Sequence, residues 1–315
     1  MDGPFKTLLE ALGENRRPDR ASLYYLSSLD AEETEQVREV WSGLSEDVRR
    51  GLTSQMVKMA EADFTLDFDA VFRVAMEDES AEVRRIAIEG LWEDQDVRLV
   101  PRLAERLRAD ESAAVRAAAA ESLGRFVLLG ELEKIRPKPR RIAYKALIEA
   151  FQQRAEDLEV QRRALESLAY VCNETVIAAI REAYTSPQEK LRISAVFAMG
   201  RSADTRWEQE VQEELFNINP EMRYEAARAC GELQLSEAVL RLEDLTEDTD
   251  AEVQEAAIWA LGQIGGDKAH EILERYRRGG DEALRKAAEA ALEAFEFLHG
   301  DLEDIFGSPT EGLNW

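Results

Sequence analysis

Few side chains in this sequence can do chemistry near neutral pH. The 315 residues include two histidines, His270 and His299, and two cysteines, Cys172 and Cys230. The histidines alone can act as neutral-pH bases without help. His270 precedes Glu271, but a di-iron site needs many ligands converging from facing helices, and one pair does not supply them. Both cysteines fall in apolar helical patterns with no activating neighbour in the sequence. They read as small core residues, not thiolates. No Walker A motif, Gly-x-Ser-x-Gly or paired metal-ligand spacing occurs. Acidic pairs such as Asp244/Glu247 and Glu213/Glu214 are too abundant to mark a site. We expect no catalytic, cofactor-binding or metal residue and no cofactor.

Charge narrows the partner. The chain has 65 Asp and Glu against 40 Lys and Arg, a formal net charge of −25. Phosphate backbones need clustered cations, so nucleic acid is not expected as the main partner. At 45% hydrophobic and 33% charged residues the chain is too apolar to be disordered and too charged for a membrane protein. No run approaches the ~18–20 apolar residues of a membrane span. Met1-Asp2-Gly3-Pro4-Phe5 lacks a secretory signal, and two cysteines give no disulfide framework, so a cytoplasmic location is expected.

The elements that must position any site repeat along the chain. Val83-Arg84 is followed by Ala87 and Leu91; Val115-Arg116 by Ala119 and Leu123; Val160-Gln161 by Ala164 and Leu168; Leu191-Arg192 by Ala195 and Met199. Met222-Arg223, Val253-Gln254 and Leu284-Arg285 continue the series with Ala226 and Cys230, Ala257 and Leu261, and Ala288 and Leu292. Successive copies are 32, 45, 31, 31, 31 and 31 residues apart. Apolar residues at i, i+4 and i+8 lie within about 80° of one another on a helix. A second apolar helix follows each first, as in Val97, Val100, Leu103 and Leu107. One such pair cannot bury its stripe alone, so pairs must stack. Helices should begin after Asp78, Asp110, Ser186, Asn219-Pro220, Asp250 and Asp281, and end at Gly124, Gly200, Gly231 and Gly262. Pro101 should bend its helix. No segment alternates with period 2, so no sheet is expected.

The pattern from Asp110 through Val115-Arg116 to Leu123-Gly124 resembles the HEAT-repeat superfamily, above all the short HEAT-like repeats of phycobilin lyases, over about residues 78–297. The resemblance implies an all-α, right-handed HEAT-like α-solenoid of stacked helix pairs. It is nearly silent on function, because the family includes scaffolds, adaptors and a few enzymes. HEAT-like deoxyhypusine hydroxylases use several His-Glu pairs, and this sequence has one. The resemblance also implies that the residue at i+1 ladders against the Asp of the preceding turn, here Asp78, Asp110, Asp250 and Asp281.

Three domains are expected. Residues 1–76 form a helical cap of degenerate repeats, 77–297 the array, and 298–315 an acidic tail. Lys134–Arg141 has five cations in eight residues and reads as an extended, proline-broken loop.

In the HEAT-like arrangement the face opposite the core lines a concave surface. Solvated positions at i+2 and i+6 should be polar. Instead Ile193, Phe197, Tyr224, Arg228 and Trp259 gather over three consecutive copies, and Trp92 sits at i+9 of the first copy. Aromatics with arginine have the composition of a binding hot spot. The expected function is a non-catalytic protein-interaction scaffold whose groove takes a protein or peptide with a basic surface. The alternatives are an enzyme subunit of bilin-lyase type and, less favoured, a nucleic-acid binder acting through residues 134–141. Leu302, Ile305, Phe306 and Trp315 of the tail would dock in that groove or bind in trans.

Overall fold

A computed structural model describes residues 3–153, 155–279 and 281–299, the last five as backbone alone. The expected tail and the side chain of His299 lie outside the described residues. The chain divides into two units between Leu168 and Ala169. The first holds α1 (Pro4–Gly13), α2 (Arg20–Leu23), α3 (Ala31–Trp41), α4 (Glu46–Ala62), α5 (Asp69–Ala75), α6 (Ala81–Gly90), α7 (Leu99–Ala109), α8 (Ala113–Glu131), α9 (Pro137–Gln152) and α10 (Leu158–Leu168). The second holds α11 (Glu174–Tyr184), α12 (Glu189–Arg201), α13 (Glu208–Glu214), α14 (Pro220–Glu232), α15 (Val239–Leu245), α16 (Ala251–Ile264), α17 (Asp267–Gly279) and α18 (Glu282–His299). No strand occurs among the described residues, and no described helix is long and apolar enough to cross a membrane.

Each unit is a two-layer stack. In the first, α4, α6, α8 and α10 pack in succession, with α5, α7 and α9 laid against them. In the second, α12, α14, α16 and α18 pack in succession, each paired with the helix before it. All seven copies bury their i, i+4 and i+8 residues, the most exposed being Leu284 at 9%. Each fully buried Val or Leu contributes about 1.5–3 kcal/mol by leaving water. The fold is an all-α, HEAT-like α-solenoid of stacked helix pairs.

The long 45-residue interval is built as helix. α8 has 19 residues and α9 has 16, against 11 in α10. Ala117, Ala118, Ala119 and Ala120 are buried, so four neighbours approach α8 from different sides. The segment 134–141 is therefore not an extended loop. The connection ends at Arg136, and Pro137 opens α9 at its first position, where a missing N–H costs nothing. Pro101 likewise stands in the first turn of α7, so it has no helical hydrogen bond to break and bends nothing.

The four glycines read as helix ends have another role. All lie inside helices, at i+9 of their copies. A Cβ on Gly124 would lie 2.6 Å from Ser167 Oγ; on Gly200, 2.8 Å from Ala229 Cα; on Gly262, 2.9 Å from Ala291 Cβ. Each partner is the i+7 residue of the next stacked helix. The glycines thus set the closeness of the stack. Gly200, Gly231 and Gly262 do lie within two residues of their helix ends, at Arg201, Glu232 and Ile264, whereas α8 runs seven residues past Gly124; Glu133, Ala203 and Gln234 take positive φ just beyond α8, α12 and α14. In the first copy the i+9 residue is Trp92. An indole cannot enter that contact; α6 ends at Gly90, and Trp92 is 48% exposed.

Three of the five i+1 arginines, Arg84, Arg116 and Arg223, form a ladder, but with a carboxylate of the following turn and not of the preceding one; Arg192 and Arg285 make no such link among the described residues. Arg84 donates to the carbonyls of Asp78 and Glu79 in its own preceding turn, at 2.8 and 2.9 Å. Its other edge grips Asp110 of the following turn, at 2.8 and 2.7 Å. Asp78 instead pairs with Arg49 at 2.7 Å and accepts from Trp41 Nε1 at 2.6 Å. Arg116 reaches Glu156 at 2.7 Å and Arg223 reaches Asp248 at 2.7 Å. Arg84 and Asp110 are 26 residues apart, Arg116 and Glu156 40 apart, so the second span is longer by the same 14 residues as the long repeat interval. The fork geometry of guanidinium suits this double duty, which a lysine could not perform.

Candidate functional site

α14, α16 and α18 present one face of their stack to solvent. Along it runs a groove of about 970 Å³ lined by Tyr224, Arg228, Trp259 and the alanines Ala287, Ala290, Ala291 and Ala294. The alanines of α18 end at Cβ, so Trp259 stands beside open space. The Arg228 guanidinium lies over the Trp259 ring, its central carbon 3.5 Å from the ring centroid. Such stacking is worth about 0.5–2 kcal/mol. No acceptor among the described residues pairs with Arg228, so its N–H donors stay open to a ligand.

A smaller continuation of about 100 Å³ links Phe197 and Arg201 of α12 to Tyr224, Arg228 and Glu232 of α14. Arg201 sits 5.4 Å above the Phe197 ring and 3.3 Å from Glu232. Burial raises the Glu232 carboxyl above its ordinary range, with Arg201 and Arg228 acting against the rise. The rim is acidic. Glu221, Glu252 and Glu255 line it and have no ion-pair partner among the described residues.

Phe197, Tyr224, Arg228 and Trp259 therefore line one continuous face, all half-buried. Ile193 does not join them. It is 2% exposed, a core residue, because α12 is buried nearly all round and has no solvent side at that position. Trp92 belongs to the first unit and lines a separate hollow of about 290 Å³ with Glu89, Glu121 and Arg125. Arg201 and Glu232 escaped the sequence reading. Both stand at i+10 of their copies, about 280° round the helix, at the edge of the aromatic face.

The reactive groups sit elsewhere. Cys230 is buried in α14, and burial pushes its thiol up to about 12, so it is inert. Cys172 is exposed in the connection before α11, and not a core residue as its apolar surroundings suggest. His270 is half-exposed on α17. No cluster of His, Cys, Asp and Glu among the described residues has a metal-binding arrangement.

One charged cluster has a measurable pH signature. Asp69 opens α5, near Asp67 and near Asp94, which pairs with Arg73. Burial first, then Asp94 and Asp67, push its carboxyl up to about 7, against Arg73 and Arg125. A raised folded-state pKa gives stability that is full below the unfolded value near 3.8 and is lost as pH rises through about 7. Asp69→Asn should remove that loss and stabilise the chain at pH 8 by about 1–2 kcal/mol, discounted for partial solvent screening. Urea unfolding at pH 5 and pH 8 checks it; an equal effect at both values would reject the assignment.

Comparison with known proteins agrees with the architecture. The HEAT-repeat family profile matches residues 69–137 and 212–293. The fold is similar to importin beta, at 15% identity and TM-score 0.51, over 93% of this chain and 45% of that one. The chain thus spans less than half of that protein's length. It also resembles the complex of CpcE and CpcF of phycocyanin lyase from Nostoc, at 19% identity and TM-score 0.46, over 67% of this chain and 81% of that one. Human deoxyhypusine hydroxylase aligns at 18% identity and TM-score 0.36, over 93% and 97% of the two chains. No curated protein matches the sequence. These likenesses concern the fold alone, and the repeat pattern, the helix stacking and the profile matches agree in giving this chain a HEAT-like fold.

Proposed function

We propose that the chain is a non-catalytic interaction scaffold. It holds a protein or peptide with a basic surface in the groove of α14, α16 and α18. The observation that carries this reading is the Arg228–Trp259 platform with Tyr224 beside it, set in an open groove with unpaired carboxylates on its rim. An aromatic floor supplies contact area at little rotamer cost. The acidic rim attracts and orients a cationic partner, and that steering falls with salt. Phe197 and Arg201 extend the same surface along the stack. The reading places the protein in an aqueous, reducing compartment, consistent with the exposed free thiol of Cys172.

The test is capture of partners with wild type, Trp259→Ala and the control Leu240→Ala. Leu240 is 66% exposed and outside the groove. Truncating a central aromatic anchor costs about 2–4 kcal/mol, a 30- to 1,000-fold loss of affinity. Partners lost with Trp259→Ala, retained with Leu240→Ala, at unchanged helicity, support the groove. An identical partner set for all three proteins would sink it.

A further inference from the structure

The first unit carries a dense basic patch on this acidic chain. Lys134, Arg136, Lys138 and Arg141 surround the start of α9, all exposed and without an ion-pair partner among the described residues. Arg140 is different, since it pairs with Glu131. Two further exposed residues complete the turn between α8 and α9. Leu132 is 53% exposed, and Glu133, held at φ 56°, has no partner among the described residues. The turn thus displays one apolar side chain, one carboxylate and a run of four free cations.

The groove of the second unit is the complement of that list. Trp259 and Tyr224 offer an apolar floor for Leu132. Arg228 offers unpaired N–H donors for the carboxylate of Glu133. Glu221, Glu252 and Glu255 offer unpaired carboxylates for the cations. An acidic ligand meets like charge everywhere on this rim except at Arg228. That argues against the acidic tail as occupant, since it has no Lys or Arg from Glu296 onward.

We propose that the groove accepts the segment Leu132–Arg141 of a second copy of this chain, the connection after α8 with the first turn of α9, so that the protein self-associates head to tail. The inference rests on the groove reading above and names its occupant. Because the two surfaces differ, the contact is heterologous and propagates unless a ring closes. The net charge of −25 opposes association at long range. Matched pairs within a Debye length of about 10 Å decide the contact.

Sedimentation velocity of the purified full chain tests it. Wild type should associate with rising concentration. Lys138→Glu with Arg141→Glu, and separately Glu252→Lys with Glu255→Lys, should each weaken association by more than about 100-fold, since each removes and inverts two charge pairs. All four residues are exposed, so the fold should survive, and helicity verifies that. Mixing the two double variants should restore association, because the groove of the first and the turn of the second are both unaltered. Three results would overturn the proposal: a wild type that stays monomeric, a double variant that still self-associates, or a mixture that stays apart. Binding of the basic turn to single-stranded DNA with a monomeric wild type would overturn it also. A monomeric wild type whose captured partners are still lost with Trp259→Ala leaves the groove reading intact and removes only the second copy.

Discussion

Gly231→Ala is expected to destabilise the second unit by about 2 kcal/mol, and Gly231→Val by more than about 3 kcal/mol. Helix propensity alone predicts the opposite sign, since alanine in a helix interior is favoured over glycine by about 0.5–1 kcal/mol. Packing decides. A Cβ on Gly231 would stand 2.6 Å from Trp259 Cζ3, 2.9 Å from Ala260 Cα and 3.1 Å from Ala260 Cβ. The indole could swing away, but the backbone of α16 cannot, so α14 and α16 must separate along their length. Gly51 is the control. It lies in the middle of α4, and its nearest neighbour would be Arg17 Nε at 4.0 Å. Gly51→Ala should therefore stabilise by up to about 1 kcal/mol. Denaturant midpoints measure both variants, and amide exchange across α14 and α16 locates the first. Equal signs for the two glycines would refute the close-contact account.

That contrast shows what the sequence could convey. Val83, Ala87 and Leu91 and their six counterparts announced the stack, because burial imposes a period that composition cannot imitate. The glycines were visible too, but their role was not. A glycine near a helix end and a glycine at a helix crossing look alike until the backbone shows that φ is helical and a neighbour is close. The partner of each ladder arginine was hidden for a similar reason. Asp78 is nearest to Arg84 in sequence, yet in a stack the reachable carboxylate lies one repeat ahead. Residues 134–141 misled because two prolines suggest a break, whereas a proline at the first helical position initiates a helix.

The groove was partly legible. Phe197, Tyr224, Arg228 and Trp259 stood out as apolar or aromatic residues where the period demands polar ones, and they line one face. Ile193 carried the same signal and is buried. Angular position on a helix says which side a residue faces, not whether that side is covered. Arg201 and Glu232 are charged, so nothing distinguished them from solvated neighbours until the stack placed them beside Phe197 and Arg228.

The ladder yields the second large effect. Arg84→Ala should cost about 2–4 kcal/mol, because it leaves the buried Asp110 carboxylate with only the Ser112 N–H at 3.0 Å and the longer 3.4 Å contact to Arg106. The Asp110 side chain is 1% exposed and that of Arg84 7% exposed. Burial raises the Asp110 carboxyl, but hydrogen bonds from Arg84 and the Ser112 N–H, with the charges of Arg84 and Arg106, hold it below its ordinary range. A depressed folded pKa contributes stability that is present above the unfolded value near 3.8 and lost as pH falls through the folded value. Without Arg84 the sign reverses. Burial then dominates, and the variant should lose less stability on acidification from pH 6 to pH 3 than wild type does. Arg84→Lys should recover little, because one ammonium cannot serve Asp110 and the carbonyls of Asp78 and Glu79 together. The double variant Arg84→Met with Asp110→Leu removes both charges and replaces them with apolar bulk. It should be more stable than Arg84→Ala by about 1–2 kcal/mol, since the poorly compensated carboxylate is gone. If the double variant is no better than Arg84→Ala, the loss lies in the two stranded carbonyls of the preceding turn, and the link from one repeat to the next is weaker than its geometry implies.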